Sequence, residues 1–555
     1  MNRAKPNFLV LLVDEERYPP VYETPAIKRW RLDHLVGQRL LREHALEFHR
    51  HYIGSAACCP SRATMFTGHY PSLHGVTQTT GLAKEAFDSD MFWLDANTVP
   101  TMGDYFRAAG YRTYYKGKWH ISDEDVIIPG THDSLASYDP VTGVPDREKV
   151  RLYARAGRLE RFGFSDWIGP EPHGRNPRNS GSSAAIGLSG RDEVYSAEAA
   201  QLIEALDGER KAGRHAEPWL VVASFVNPHD IVLYGDQTAR LKHAFRFEAE
   251  PAIPDIPPPP TIGESLLTKP RCQASYRDIY PLALQPINDG GFYRRLYYQL
   301  QQNADRQLTA VFEALTRSSM YENTIVIFTS DHGDLLGSHG NLHQKWHCAY
   351  EEALHVPFLI HNPRMFPQHR DVHAPTSHLD LLPTMLGLAG VDIEAARHRL
   401  QPRFSDARPL VGRNLAPSIG GAQPSSLPDV PVYFMTEDNP TQGQHQVNPF
   451  GRPYPSVVQP NGLETVIAPI VLQGRKQLWK FSRYYDSTPH AASGGTAPVQ
   501  DEFELYNMTE DPLETRNLAH AGLATPHSRS VQTRMMQLLA EERKRKRLTP
   551  ARRVT

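Results

Sequence analysis

Residues 8–13 read Phe-Leu-Val-Leu-Leu-Val, and the run stops at Asp14-Glu15-Glu16. Apolar side chains without alternation suit a strand buried on both faces, the habit of a parallel sheet covered by helices. Further strand-length runs at 112–115, 219–226, 324–329 and 356–360 each end in a polar residue or a Gly/Pro break. Between them lie helical patterns. The clearest sets Leu296, Leu300, Ala304, Leu308, Val311 and Leu315 at helical spacing, the apolar stripe of an amphipathic helix directly before the run at 324. This alternation predicts an α/β layer architecture, a large and mostly parallel sheet sandwiched by helices.

The chain has 555 residues, room for one large core and a smaller unit at roughly 150 residues per domain. Residues 1–400 are expected to form the large α/β unit, 401–430 a proline-rich linker, and 431–555 a smaller α+β unit. Composition turns loop-like from about 402 to 431; short alternating stretches follow near 476–485, and a helical pattern near 531–543. The stretch 251–260 (PAIPDIPPPP) can be neither helix nor central strand and predicts an extended surface loop. Residues 169–190, rich in Gly, Ser, Asn and Pro, predict another, and long loops in a compact domain often rim a site. Residues 543–553 carry seven Lys/Arg and no acid. They are expected to be a solvated helix end and frayed tail, with docking onto a neighbouring subunit as the sharper alternative.

Hydrophobic residues at 40% and charged residues at 22% exclude disordered, collagenous and solenoid classes. Sixty Lys+Arg against 62 Asp+Glu leave a formal charge of −2, so no global field attracts nucleic acid or an anionic membrane, and neither is an expected partner. No apolar run approaches the roughly 18 residues of a membrane span, and 8–13 is too short for a signal-peptide core. Four cysteines cannot form a disulfide framework and suit a reducing compartment, so the expected location is cytoplasmic.

The residues just after the runs carry the chemistry. Asp14 and Glu15 follow the first, Lys118 and His120 the second, His229 the third, Asp331 and His332 the fourth. In an open parallel sheet, side chains past the carboxyl ends of the strands converge on one ligand-binding crevice. Asp14, Glu15, Asp331 and His332 make an oxygen-rich, one-nitrogen set for a hard divalent cation. Acids brought so close would repel without a cation. A solvated turn competes for Asp14-Glu15, and a helix cap for Asp331. His339, His343 and His347 are spaced by four like a zinc helix, but no Glu follows the first as in the zincin pattern, so they are expected to be incidental or supporting. Pro60 suits the first turn of a helix, which places Cys58 and Cys59 at an N-terminus that favours an anion. The residues alone leave two readings open: buried, unreactive thiols, or a thiolate nucleophile activated by Arg62 and the helix end.

Cys58-Cys59-Pro60-Ser61-Arg62, continuing through Thr67-Gly68, resembles the Cys-x-Pro-Ser-Arg signature of the formylglycine-dependent sulfatases in the alkaline phosphatase superfamily. The likeness extends in order through Pro6-Asn7-Phe8 leading to Asp14, Gly110-Tyr111-Arg112-Thr113 with Gly117-Lys118-Trp119-His120, and Pro228-His229. It continues through Ser330-Asp331-His332-Gly333, Lys345 with Glu351-Glu352, Val356-Pro357, His378-Leu379-Asp380-Leu381-Leu382-Pro383-Thr384, Glu504-Leu505-Tyr506, Asp511-Pro512 and Asn517-Leu518. The resemblance implies an arylsulfatase-like hydrolase of sulfate monoesters in which a formylglycine-generating enzyme converts Cys58 to an aldehyde, present as its hydrate. One hydroxyl would attack sulfur and the alcohol would leave; loss of the proton from the second hydroxyl would then eject sulfate and restore the aldehyde. Asp14, Glu15, Cys58, Asp331 and His332 would hold one divalent ion, calcium first and manganese second. Arg62 and Lys118 would stabilise the hydrated aldehyde, His120 would orient it or take up a proton, and His229 and Lys345 would face the leaving oxygen. Glu15 stands where the family usually has Asp, and His332 where it often has Asn; the nitrogen favours manganese.

The alternative within the superfamily is a phosphonate monoester or phosphodiester hydrolase, whose members share the Cys-x-Pro-Ser-Arg start but lack the Lys and His found here at Lys118 and His120. A non-catalytic anion binder with Cys58 left as a thiol is the alternative of another class. The long loops and the C-terminal extension predict a homo-oligomer, a dimer.

Overall fold

The computed structural model of the chain describes residues 5–172, 176–185, 187–188, 190–214, 217–420, 427–488 and 497–551. Nine strands precede residue 378: β1 (Asn7–Asp14), β2 (Ala45–Phe48), β3 (His51–Tyr52), β4 (Arg112–Gly117), β5 (Trp219–Pro228), β6 (Thr324–Ser330), β7 (Phe358–His361), β8 (Arg370–Val372) and β9 (Thr376–Ser377). Seven form one sheet in the order β4-β5-β1-β6-β7-β2-β8, while β3 and β9 pair separately. The first four of that order are mutually parallel. All five expected strands are present, but the one expected at 356–360 begins at Phe358 and runs antiparallel to both neighbours. Pro357 has no N–H for a ladder, and Val356 N donates instead to His51 O.

Successive side chains of β1 enter different cores, as a period of two requires. Phe8, Val10 and Leu12 pack with Ala63 and Phe66 of the helix Cys58–Thr67. Leu9, Leu11 and Val13 pack with Ala304, Leu308, Val311 and Leu315 of the helix Gly290–Arg317, so the expected apolar stripe is the buried face of that helix. Burying each such side chain is worth roughly 1.5–3 kcal/mol, which holds β1 inside the sheet, between β5 and β6.

The C-terminal unit is a four-stranded antiparallel sheet of β10 (Val432–Thr436), β11 (Gly462–Leu472), β12 (Arg475–Tyr485) and β13 (Glu502–Asn507), in sequence order. The helix Pro526–Lys546 covers one face through Val531, Met535, Leu538 and Leu539. The other face has no core of its own: Phe434, Leu463, Ile467 and Tyr506 pack with Tyr52, Leu335, Ala353 and Leu354 of the larger unit.

The basic C-terminal segment, as far as it is described, is not a solvated tail. Arg543 Nε and Arg547 Nη1 reach the buried Glu464 carboxylate at 2.9 and 2.8 Å. Beyond the helix, Leu548 O accepts from Ser72 Oγ at 2.7 Å, and Ala551 N donates to Asp406 Oδ1 at 2.8 Å. The buried Glu464 captures these cations, and a hydroxyl donor (Ser72) and a carboxylate acceptor (Asp406) hold the backbone after them. The stretch 251–260 is irregular, but Ile253 and Ile256 are buried against Trp30, Tyr293 and Leu296, so this loop is partly core. Between 402 and 431 the described chain is coil with one helical turn, Ala416–Ile419; residues 421–426 lie outside the described set. No helix among the described residues is long and apolar enough to cross a membrane.

Candidate active site

The carboxyl ends of β4, β5, β1 and β6 lie side by side. Glu15, directly after β1, adopts φ 73°, a left-handed conformation that costs a residue with a Cβ on the order of 1–3 kcal/mol. It is held there because its N–H donates to Asp331 Oδ1 (3.1 Å) and its carbonyl accepts from Tyr297 OH (2.7 Å). At the end of β4, Gly117 has φ 98°, and a Cβ there would stand 1.9 Å from Ser224 O. Only glycine lets the chain pass β5 so closely on its way to Lys118. All ten residues of the helix Cys58–Thr67 are buried, and Gly68 closes it with φ 71°. Its start is fixed from the small sheet: Met435 N donates to Gly54 O (3.1 Å), and Ala57 N donates to Asp438 Oδ2 (3.1 Å).

Cys58, the first residue of that helix, faces the strand ends. Its Sγ lies 3.0 Å from His332 Nε2, 3.6 Å from His229 Nε2 and 3.9 Å from Asp14 Oδ1. Arg62, one turn on, bridges two acids: Nε is 2.7 Å from Asp331 Oδ2 and Nη2 is 2.9 Å from Asp14 Oδ2. Its Nη1 donates to Lys118 O (2.8 Å) and Ser224 Oγ (3.0 Å). Lys118 Nζ is 2.6 Å from Asp14 Oδ2. On the other side Glu15 lies between Lys345 Nζ (3.3 Å from Oε1) and His229 Nε2 (3.6 Å from Oε2). Asp331 is therefore engaged by Arg62 and the Glu15 amide rather than capping a helix.

Charge is unevenly distributed. Burial alone would raise Asp14, but Lys118, His229 and Arg62 hold it well below the usual carboxylate range. Burial and the Asp14 charge push Asp331 up to about 6. Burial, with Asp334 close by, holds Glu15 well above the normal range despite Lys345. Burial, then Asp14, pushes the Cys58 thiol up to about 12. Arg62 is engaged by two acids, so it does not prepare a thiolate at position 58. Burial and Lys345 hold His332 neutral; its Nδ1 faces Gly333 O at 3.0 Å, an acceptor only, so Nδ1 carries the proton and Nε2 presents a lone pair.

Asp14, Cys58, Asp331 and His332 each offer one ligand atom within 4.8 Å of the others, and Asp14, Glu15 and His229 form a second such group. The Glu15 carboxylate is buried among Lys345, His229 and Asp334. Crowded carboxylates and an oriented imidazole lone pair fit a hard divalent cation.

Residues 6–391 match the sulfatase family. The chain belongs to it. Among relatives, the uncharacterized sulfatase YidJ of Escherichia coli (strain K12) is 28% identical over 391 residues, covering 70% of this chain and 68% of that protein. A solved 2-O GAG sulfatase superposes with a TM-score of 0.61 at 20% identity, covering 98% and 92% of the two chains. The phosphonate monoester hydrolase of Agrobacterium radiobacter superposes with a TM-score of 0.58 at 19% identity, covering 98% and 96%. These two likenesses are of fold: a large mixed, mostly parallel sheet with helices and a small antiparallel sheet. The relatives indicate a sulfatase hydrolase.

Within this sulfatase-family centre, His120 follows Lys118 by two residues. It has φ 56°, its Nε2 lies 3.1 Å from Thr80 Oγ1, and its N–H donates to Glu171 Oε1 at 2.8 Å. Glu171, raised by burial to about 8, comes from the loop expected at 169–190 and also accepts from Trp119 N. That loop reaches His229 as well: Asp230, the next residue, accepts from Gly181 N and Ser182 N at 2.8 and 2.7 Å. Sequence reading missed Glu171, Asp334 and Asp438. Asp334 lies three residues past Asp331 and was open to the same strand-end argument; Asp438 is 381 residues from its partner Ala57 and left no local signal. His339, His343 and His347 do not share a helix: His339 sits in the short turn Ser338–Asn341 with φ 51° and bonds through Nδ1 to Glu264 Oε2 at 3.0 Å.

Proposed function

We propose that the chain hydrolyses sulfate monoesters with residue 58 in its formylglycine form. The observation that carries this reading is the position of Cys58: at the head of a buried helix, its Sγ meets Asp14, His229 and His332 in one crevice of a sulfatase-family fold. Asp14, Glu15, Asp331, His332 and position 58 hold one divalent cation, calcium first and manganese second; when bound, it polarises a sulfate oxygen as a Lewis acid. Arg62 keeps Asp14 and Asp331 together, and Lys118 adds positive charge where the attacking oxygen develops. His229 gives its proton to the leaving alkoxide while Lys345 balances the remaining charge, an acid contribution of roughly 10²–10⁴-fold. His120, held by Thr80 and Glu171, takes up the proton released as the second hydroxyl expels sulfate. Maturation requires a formylglycine-generating enzyme, and the active protein is a dimer.

Mass spectrometry of the Cys58 peptide from the native host tests the modification, with an aldehyde mass expected; an alkylatable thiol in active enzyme would refute it. Comparison of an aryl sulfate with a phenyl phosphonate monoester tests the substrate class. A larger kcat/KM for the sulfate is expected, and the reverse order would make this a phosphonate hydrolase.

A further inference from the structure

At the edge of the large sheet opposite β4, β2 and β8 run parallel with Glu47 paired to Asp371. Residues two apart on a strand share a face. The sequences Glu47-Phe48-His49 and His369-Arg370-Asp371-Val372-His373 therefore place carboxylates and imidazoles side by side, outside the cluster around Cys58. His49 Nε2 is 2.6 Å from Asp371 Oδ1; His369 Nε2 is 3.0 Å from the same oxygen and 3.5 Å from Glu47 Oε2. Glu47, His369 and Asp371 each offer a ligand atom within 4.8 Å of the others.

The surroundings orient these groups. His369 Nδ1 lies 3.1 Å from Arg42 O, an acceptor only, so Nδ1 carries a proton. Nε2 of the neutral ring then aims its lone pair at two carboxylate oxygens, a repulsive arrangement that a proton or a metal ion on Nε2 reverses. His49 is held between Tyr18 OH at Nδ1 and Asp371 Oδ1 at Nε2, each at 2.6 Å. Arg42 Nε takes the other oxygen of Glu47 at 3.1 Å, leaving Oε2 for the cluster. The side chains of His49, His369 and Asp371 are 24%, 36% and 50% exposed, so an ion can reach them from solvent.

We propose that Glu47, His369 and Asp371 bind a borderline transition-metal cation of the zinc class, with His49 holding the Asp371 carboxylate in place. One imidazole and two carboxylates, with an open fourth position, suit such an ion, whereas calcium takes six to eight oxygens. The ion would join the three-residue edge strand β8 to β2.

The test is a Zn2+ titration of the purified full chain in the presence of excess Ca2+, comparing wild type with His49→Ala/His369→Ala. Wild type is expected to bind one equivalent that the variant lacks or binds at least about tenfold more weakly, with turnover unchanged. Equal stoichiometry and affinity in the two proteins would overturn the proposal, as would saturation of wild type only on the order of millimolar Zn2+. Should the variant not fold, zinc-edge anomalous diffraction from wild-type crystals decides: a peak among His369 Nε2 and the Glu47 and Asp371 carboxylates supports the site, and its absence overturns it.

Discussion

Serine at position 58 would keep a nucleophilic oxygen but lose the second hydroxyl that expels sulfate. Cys58→Ser is therefore expected to take up one sulfuryl group per chain and stop, seen as a stable mass increase of one SO3 without turnover; sustained hydrolysis by this variant would refute the release step. Lys345 is fully buried beside Glu15. Its replacement by Ala removes a preorganised cation worth roughly 2.7–4 kcal/mol, or 10²–10³-fold in turnover on an aryl sulfate; a loss under about tenfold would place it outside the reaction. At this scale much was legible. Asp14 ends β1, and Lys118, Asp331 and His332 lie within two residues of the ends of β4 and β6, where the apolar runs stop. Asp438 and Glu171 act through chain crossings that no local pattern records. The structure also removes one of the two readings left open for Cys58, because Arg62 is committed to Asp14 and Asp331.

Elements of regular length were readable from periodicity, and irregular ones were not. β2 and β8 have four and three residues and carry charges, too little for a period of two to emerge. The fourfold histidine spacing after 338 suggested a helix, but left-handed residues at His339, Asn341, Gln344 and His347 fold the segment into loops. This segment carries a pH-sensitive contact. Burial alone would lower His339, but Glu264 and Glu352 raise it from 6.5 to about 9. A folded value above the unfolded one means the contribution is fully present below pH 6.5 and is lost as pH rises through 9. The swing is about 3 kcal/mol. The depression of Glu352 to about 2 reflects the same contact seen from its partner and is not additional. The Tm gap between wild type and His339→Gln is expected to narrow between pH 6.5 and 9, whereas a constant gap would show that His339 is neutral in the fold.

For the whole molecule, the layered α/β architecture followed from the sequence, but the spatial order of the strands and the sharing of one core by both sheets did not. Phe434, Leu463 and Ile467 complete a cluster begun by Tyr52, Leu335 and Leu354. Removing a large core side chain costs about 2–5 kcal/mol each, so losing several exceeds a typical stability of about 5–15 kcal/mol. A chain ending at residue 430 is expected not to fold, and calorimetry of the intact chain to show a single transition; native-like near-ultraviolet dichroism from the 1–430 fragment would refute this. The carboxylate of Asp438 has a practical corollary. It accepts from Ala57 N, Trp346 Nε1 and Thr79 N at 3.1, 3.0 and 3.0 Å, so three neighbours of the reacting groups are registered on one side chain of the small sheet. Chimeras that swap C-terminal parts between homologues should therefore be spliced after this aspartate, since a junction upstream would exchange the alignment peg along with the small sheet.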